Sequence, residues 1–128
     1  MEFENNAYFW QKIDTLYLSS DVVIDKPKNT VHAQYTNLIY PVDYGFLQDT
    51  LLGSDEHIHV YVGTKMTGKV EAIVVCADIL KKDMDVKFLV GCTKEEENDI
   101  LQFLDQTDFQ KAVILRRGHN ILDWASNN

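Results

Sequence analysis

Cysteine is nearly absent: Cys76 and Cys92 are the only two among 128 residues. That is too few for a disulfide scaffold. Proline (2) and glycine (6) are also scarce and scattered. No linker, internal repeat or low-complexity tract divides the chain, so one domain is expected over residues 1–128. Basic side chains are few, 12 Lys and Arg against 20 Asp and Glu, for a formal net charge of -8. Such a surface does not neutralise phosphate backbones or anionic lipid, which argues against nucleic-acid and membrane partners. No apolar run approaches the roughly 20 residues that span a bilayer. Residues 1–6 are acidic and polar, which does not suit a secretory signal. The expectation is a soluble, cytoplasmic domain.

What is present suffices for an ordinary core, with 45% hydrophobic and 25% charged residues. Residues 7–17 space Phe9, Ile13 and Leu16 at helical intervals, predicting an amphipathic helix that ends at Ser19-Ser20-Asp21. Val22-Val23-Ile24 and Leu38-Ile39-Tyr40 read as strands halted by Pro27 and Pro41. Residues 57–62 alternate, with Ile58, Val60 and Val62 on one face and His57, His59 and Tyr61 on the other. Residues 70–80 form a Val/Ile-rich strand. Lys81-Lys82-Asp83 turns it into residues 85–90, where Asp85, Lys87 and Leu89 share a face opposite Val86, Phe88 and Val90. Thr93-Lys94-Glu95-Glu96 is a capping box for a helix to about Leu104 that buries Ile100, Leu101 and Leu104. Residues 112–115 are a last strand. Consecutive, antiparallel-looking strands between helices favour an α+β fold with a small barrel or curled sheet.

The densest polar and aromatic stretch is Tyr40-Pro41-Val42-Asp43-Tyr44-Gly45-Phe46. By itself it is a rigid turn carrying two phenols. With Val22-Val23-Ile24-Asp25, Pro27-Lys28, residues 58–62 and 80–90, and Gly91-Cys92-Thr93 before an acidic helix, it resembles the soluble inorganic pyrophosphatases of the Mg-dependent barrel family. The likeness is to a short bacterial branch and covers roughly residues 22–117. It implies a five-stranded barrel of the oligonucleotide-binding type with helices outside, and a homo-oligomeric habit. It also implies carboxylates holding Mg²⁺ across pyrophosphate or another small phosphoanhydride, with lysine and tyrosine gripping the phosphates. Carried over by position, Asp85 and Glu56 become the catalytic carboxylates. Tyr40, Tyr44, Lys87 and Lys28 bind substrate. Asp85, Asp83, Glu56, His59 and Asp25 form the metal set.

The chain departs from that pattern. Where the family has Asp-x-Asp-x-x-Asp after the tyrosine turn, Ser54, Glu56 and His59 stand here. Gln34 replaces a lysine before Tyr35, and an arginine-bearing loop is missing between Gln34 and Leu38. Reduced hydrolysis is therefore expected, with a non-catalytic binding module as the alternative. A further alternative is a hydrolase using Mn²⁺ or Zn²⁺ at His57-x-His59, a same-face strand spacing, with His32, Glu56, Asp85, Cys76 or Cys92 completing the set. Tyr40, Tyr44, Asp85, Lys87, Glu56 and His59 are expected to line one cavity. Glu95-Glu96-Glu97 suits the positive end of a helix, Arg116-Arg117 reads as an exposed pair, and Cys76 as a buried, inert thiol.

Overall fold

The computed structural model describes residues 7–52, 57–105 and 109–117. Helix α1 spans Ala7–Leu18. It does not bury the predicted Phe9–Ile13–Leu16 face: Phe9 and Leu16 are 38% and 40% exposed, whereas Trp10 is 2% exposed and packs with Ile13. Phe9 and Trp10 point about 100° apart on a helix, and the larger indole takes the core. The last turn closes as the serines suggest, with Ser19 Oγ donating to Thr15 O (2.6 Å) and Ser20 Oγ to Leu16 O (2.8 Å). These bonds satisfy carbonyls that the helix end leaves open.

Six strands follow: β1 Val22–Lys26, β2 Asp43–Leu47, β3 His59–Val62, β4 Val70–Asp78, β5 Asp83–Val90 and, after helix α2 (Lys94–Leu104), β6 Gln110–Arg116. They form one sheet in the order β1-β2-β3-β5-β4-β6. The β4–β5 hairpin folds back so that β5 lies between β3 and β4. That makes β3–β5 a parallel pair among strands that read as antiparallel-looking in the sequence. The closed five-stranded barrel is also corrected. Strand β6 occupies the outer edge of β4 along Ala72↔Arg116 to Asp78↔Gln110, leaving β1 no free edge of β4 to pair with. The sheet stays open. Leu38-Ile39-Tyr40 is not a strand, because its backbone closes a loop instead. A single bridge joins Val31 to Ile39, and Asn29 N and His32 N donate to Tyr40 O and Leu38 O, both at 2.9 Å.

Period-2 alternation gives the sheet two apolar faces. Leu47, Ile58, Val60, Ile73, Phe88 and Val90 pack under Trp10 and Ile13 of α1. Tyr61, Ala72, Val74, Cys76 and Leu89 pack under Ile100 and Leu104 of α2, with Leu101 only partly buried. Strand β4 ends at Asp78, so Ile79 and Leu80 lie exposed in the turn. There Asp78 Oδ1 accepts the N–H groups of Leu80 (2.9 Å) and Lys81 (3.0 Å). The capping box forms as predicted. Thr93 Oγ1 accepts from Glu96 N (3.1 Å), and Glu96 Oε1 accepts from Thr93 N (2.9 Å) and Thr64 N (3.1 Å). These N–H groups hold the Glu96 carboxyl below its ordinary range despite its partial burial.

The arginine pair is not a free surface feature. Arg116 reaches the buried Glu97 through Nη2 (2.8 Å) and Nε (3.2 Å). Arg117 grips Asp14 of α1 with both Nη atoms (2.7 and 2.8 Å), donates to Val70 O (2.7 Å) and sits 5.3 Å from the Trp10 ring. No helix among the described residues is long and apolar enough to cross a membrane.

Candidate functional site

The site lies on the α2 side of the sheet, where register gathers residues from four segments. Tyr44 of β2 stands opposite Tyr61 of β3, and Phe46 opposite His59. His59 stands opposite Lys87 of β5, and Asp85 opposite Cys76 of β4. The loop of residues 27–41 adds His32, Tyr35 and Tyr40, and α2 adds Phe103. Gly45 makes the β1–β2 approach possible. A Cβ there would meet Val23 O at 1.9 Å and Ile24 Cα at 2.8 Å.

Four rings stack in a column. His32 lies on Tyr40 (5.9 Å, 10°), Tyr40 on Tyr44 (5.4 Å, 28°) and Tyr44 on His59 (5.3 Å, 3°). Phe103 flanks Tyr40 at 4.8 Å, and Tyr61 flanks Tyr44 at 4.7 Å. Beneath the column Lys87 forms an ion pair with Asp85; their side chains are only 11% and 24% exposed. Lys87 Nζ is 5.9 Å from the Tyr44 ring centre, and Asp85 Oδ1 also accepts Val86 N–H at 2.9 Å. A cavity of about 260 Å³ opens here, lined by Tyr40, Tyr44, Tyr61 and Lys87 with His32, Tyr35, Phe103 and Lys81.

Burial, reinforced by Asp85, pushes the Tyr44 phenol far above its usual range. Burial, then Asp25, raises Tyr40, with Lys87 opposing. Both phenols are neutral hydrogen-bond donors at neutral pH. His32 Nδ1 accepts the backbone N–H groups of Gln34 (3.0 Å) and Tyr35 (3.2 Å). That fixes a neutral ring with its proton on Nε2. Burial, with Lys81 and Lys26 nearby, lowers the pKa of His32 in agreement. Burial lifts the Cys76 and Cys92 thiols to about 11 and about 12, so neither is a thiolate at neutral pH.

Asp85 and His59, expected in the same cavity, contact Lys87 and Tyr44 without lining it, and the other anticipated residues fall elsewhere. Asp25 is exposed and 3.7 Å from Lys26. Lys28 is exposed, and its backbone N–H donates to Asp43 Oδ1 at 2.8 Å. Asp83 sits exposed at the start of β5, facing a shallow surface hollow with Asp78 and Met84. His57 stacks on Phe46 (4.8 Å), with Nδ1 3.1 Å from Thr50 O. Ser54 and Glu56 lie outside the described residues. His32, Tyr35, Lys81 and Phe103 were not anticipated as cavity residues. The loop of 27–41 has no periodicity, and Phe103 falls one position before the core residue Leu104.

The chain shares its fold with solved inorganic pyrophosphatases. That of the pathogenic bacterium Helicobacter pylori superposes with a TM-score of 0.54 at 16% identity, covering 74% of this chain and 81% of that one. One from Coxiella burnetii gives 0.53 at 18% identity, covering 74% and 82%. No protein-family model matches this sequence and no curated protein does.

A divalent cation makes a specific demand on its donors. Hard cations take several anionic oxygens at short range. Among the described residues no group of three or more His, Cys, Asp or Glu side chains converges to hold one. The Asp85 carboxylate is engaged by Lys87 and by Val86 N–H. The described residues therefore do not fit a metal cage.

Proposed function

We propose that this chain binds pyrophosphate, or a related small phosphoanhydride, in the Tyr40–Tyr44–Lys87 pocket and hydrolyses it slowly. The substituted carboxylates carry this reading: Ser54 and His59 stand where the resembling family has aspartates. Metal-dependent hydrolysis of a phosphoanhydride needs carboxylates free to hold cations that bridge the phosphates and activate water. Here two of those positions carry a hydroxyl and an imidazole, at Ser54 and His59, in place of carboxylates. What remains suits binding. Two neutral phenols donate hydrogen bonds, and a half-screened ammonium attracts the anion.

The test has two arms. Phosphate release from pyrophosphate is measured with Mg²⁺, Mn²⁺ and Zn²⁺ in parallel, and pyrophosphate binding is measured by calorimetry in EDTA. We expect saturable binding in EDTA, lost in Lys87→Met. We expect turnover at least a hundredfold below the roughly 10 s⁻¹ of an average enzyme. Turnover near that value with any of the metals, or binding that requires a metal, overturns the proposal.

A further inference from the structure

The cavity is built for more than a bare phosphoanhydride. Pyrophosphate is small and polar on every side, and aromatic faces offer it nothing. Yet the rings of His32, Tyr35, Tyr40 and Phe103 line the space together with Lys81 and Lys87. Tyr35 is 44% exposed, and it meets His32 at 5.3 Å at the outer end of the ring column. The column thus ends in an aromatic surface open to a further ring. His32 is held rigid there by two backbone N–H groups on Nδ1, leaving Nε2–H as a donor. Among the described residues Lys81 makes no ion pair. It lines the same cavity as His32. Cations and a stacking surface therefore adjoin at one mouth.

We propose that the pocket takes a nucleoside diphosphate, its base stacked on the His32–Tyr35 end of the column and its phosphates held by Lys81 and Lys87. This rests on the phosphoanhydride reading above and names the ligand class within it. Stacking of one base on an aromatic side chain alters affinity about 5- to 150-fold.

The experiment is calorimetric titration of the full chain with three probes: ADP, methyl diphosphate and pyrophosphate. It is repeated for Tyr35→Ala and His32→Ala, with circular dichroism to show that each variant is folded. Tyr35→Leu replaces any variant that is not. ADP is expected to bind at least tenfold more tightly than methyl diphosphate. The variants should bring that ratio within threefold of unity. Equal affinity for ADP and methyl diphosphate overturns the nucleotide inference while pyrophosphate binding leaves the broader reading standing. A preference for ADP that survives both substitutions also overturns it, because the base would lie elsewhere. No binding of any probe refutes both.

Discussion

Replacing Arg117 by alanine removes the clasp between the end of β6 and helix α1. The guanidinium makes two charge-assisted hydrogen bonds to Asp14 at 2.7 and 2.8 Å, and one to Val70 O at 2.7 Å. Arg117 and Asp14 side chains are 26% and 31% exposed, between a surface pair at about 0–1 kcal/mol and a sheltered charged hydrogen bond at about 1.5–3 kcal/mol. About 1 kcal/mol is a fair coupling for the pair. Loss of the cation from the Trp10 face adds about 0.5–1 kcal/mol. The total is about 2 kcal/mol, or a fall in Tm of about 6–10 °C for a domain of this size. The double-mutant cycle with Asp14→Ala, followed by far-UV circular dichroism, isolates the pair. The same pair sets a pH dependence. Arg117 holds the Asp14 carboxyl below its ordinary 3.8, chiefly by hydrogen bonding and against the effect of burial. A depressed carboxyl stabilises the fold above the unfolded-state value and loses that contribution as pH falls through the lower folded value. The wild-type advantage over Asp14→Ala should therefore be full at pH 5–7 and fade below about pH 4. A coupling under about 0.3 kcal/mol at pH 7, or an advantage that persists unchanged at pH 2, would refute the reasoning.

Two further outcomes are expected. Gly45→Ala places a Cβ 1.9 Å from Val23 O, a backbone clash that no rotamer relieves. It should cost about 3 kcal/mol or more by urea unfolding, and a change under about 1 kcal/mol would mean that β1 is not held where we describe it. Tyr17, Tyr40, Tyr44 and Tyr61 all have raised pKa values, chiefly through burial. Their neutral forms support the folded state fully below about pH 10, and that support is lost as pH rises from there through the folded values. Absorbance at alkaline pH should show these phenols ionising together with loss of helical signal, and independent ionisation of all six tyrosines near pH 10 in a folded chain would contradict the burial.

Local signals in the sequence were read well, and remote partnerships were not. The Thr93–Glu96 box is a four-residue motif whose bonds close within itself. The two faces of β3 and β5 follow from strict alternation, which needs no knowledge of neighbours. The face of α1 was misjudged because Phe9 and Trp10 adjoin, and only the docked helix decides between them. The parallel β3–β5 pairing depends on where a hairpin lands. The arginines were misread for a similar reason: the partner of Arg116 is 19 positions away and that of Arg117 is 103. Tyr40, Tyr44 and Lys87, named through the family resemblance, line one cavity. The contribution of His32, Tyr35 and Phe103 depends on the loop of 27–41 folding against α2.

The placement of β6 also bears on how the chain acquires its shape. Strand β4 finds its partner β5 at once through a tight hairpin, but its other edge stays unpaired until residues 110–116 have been synthesised. Helix α1 gains its Arg117 clasp at the same late moment, across a separation of 103 positions. Contacts this distant fold slowly, because a long loop must be closed before they contribute. During synthesis on the ribosome, a partial chain exposes an edge rich in valine and isoleucine, open to pairing with another chain. Rapid production at high temperature should thus favour aggregated, incompletely zipped molecules, while the finished protein, once β6 has docked, has that edge covered.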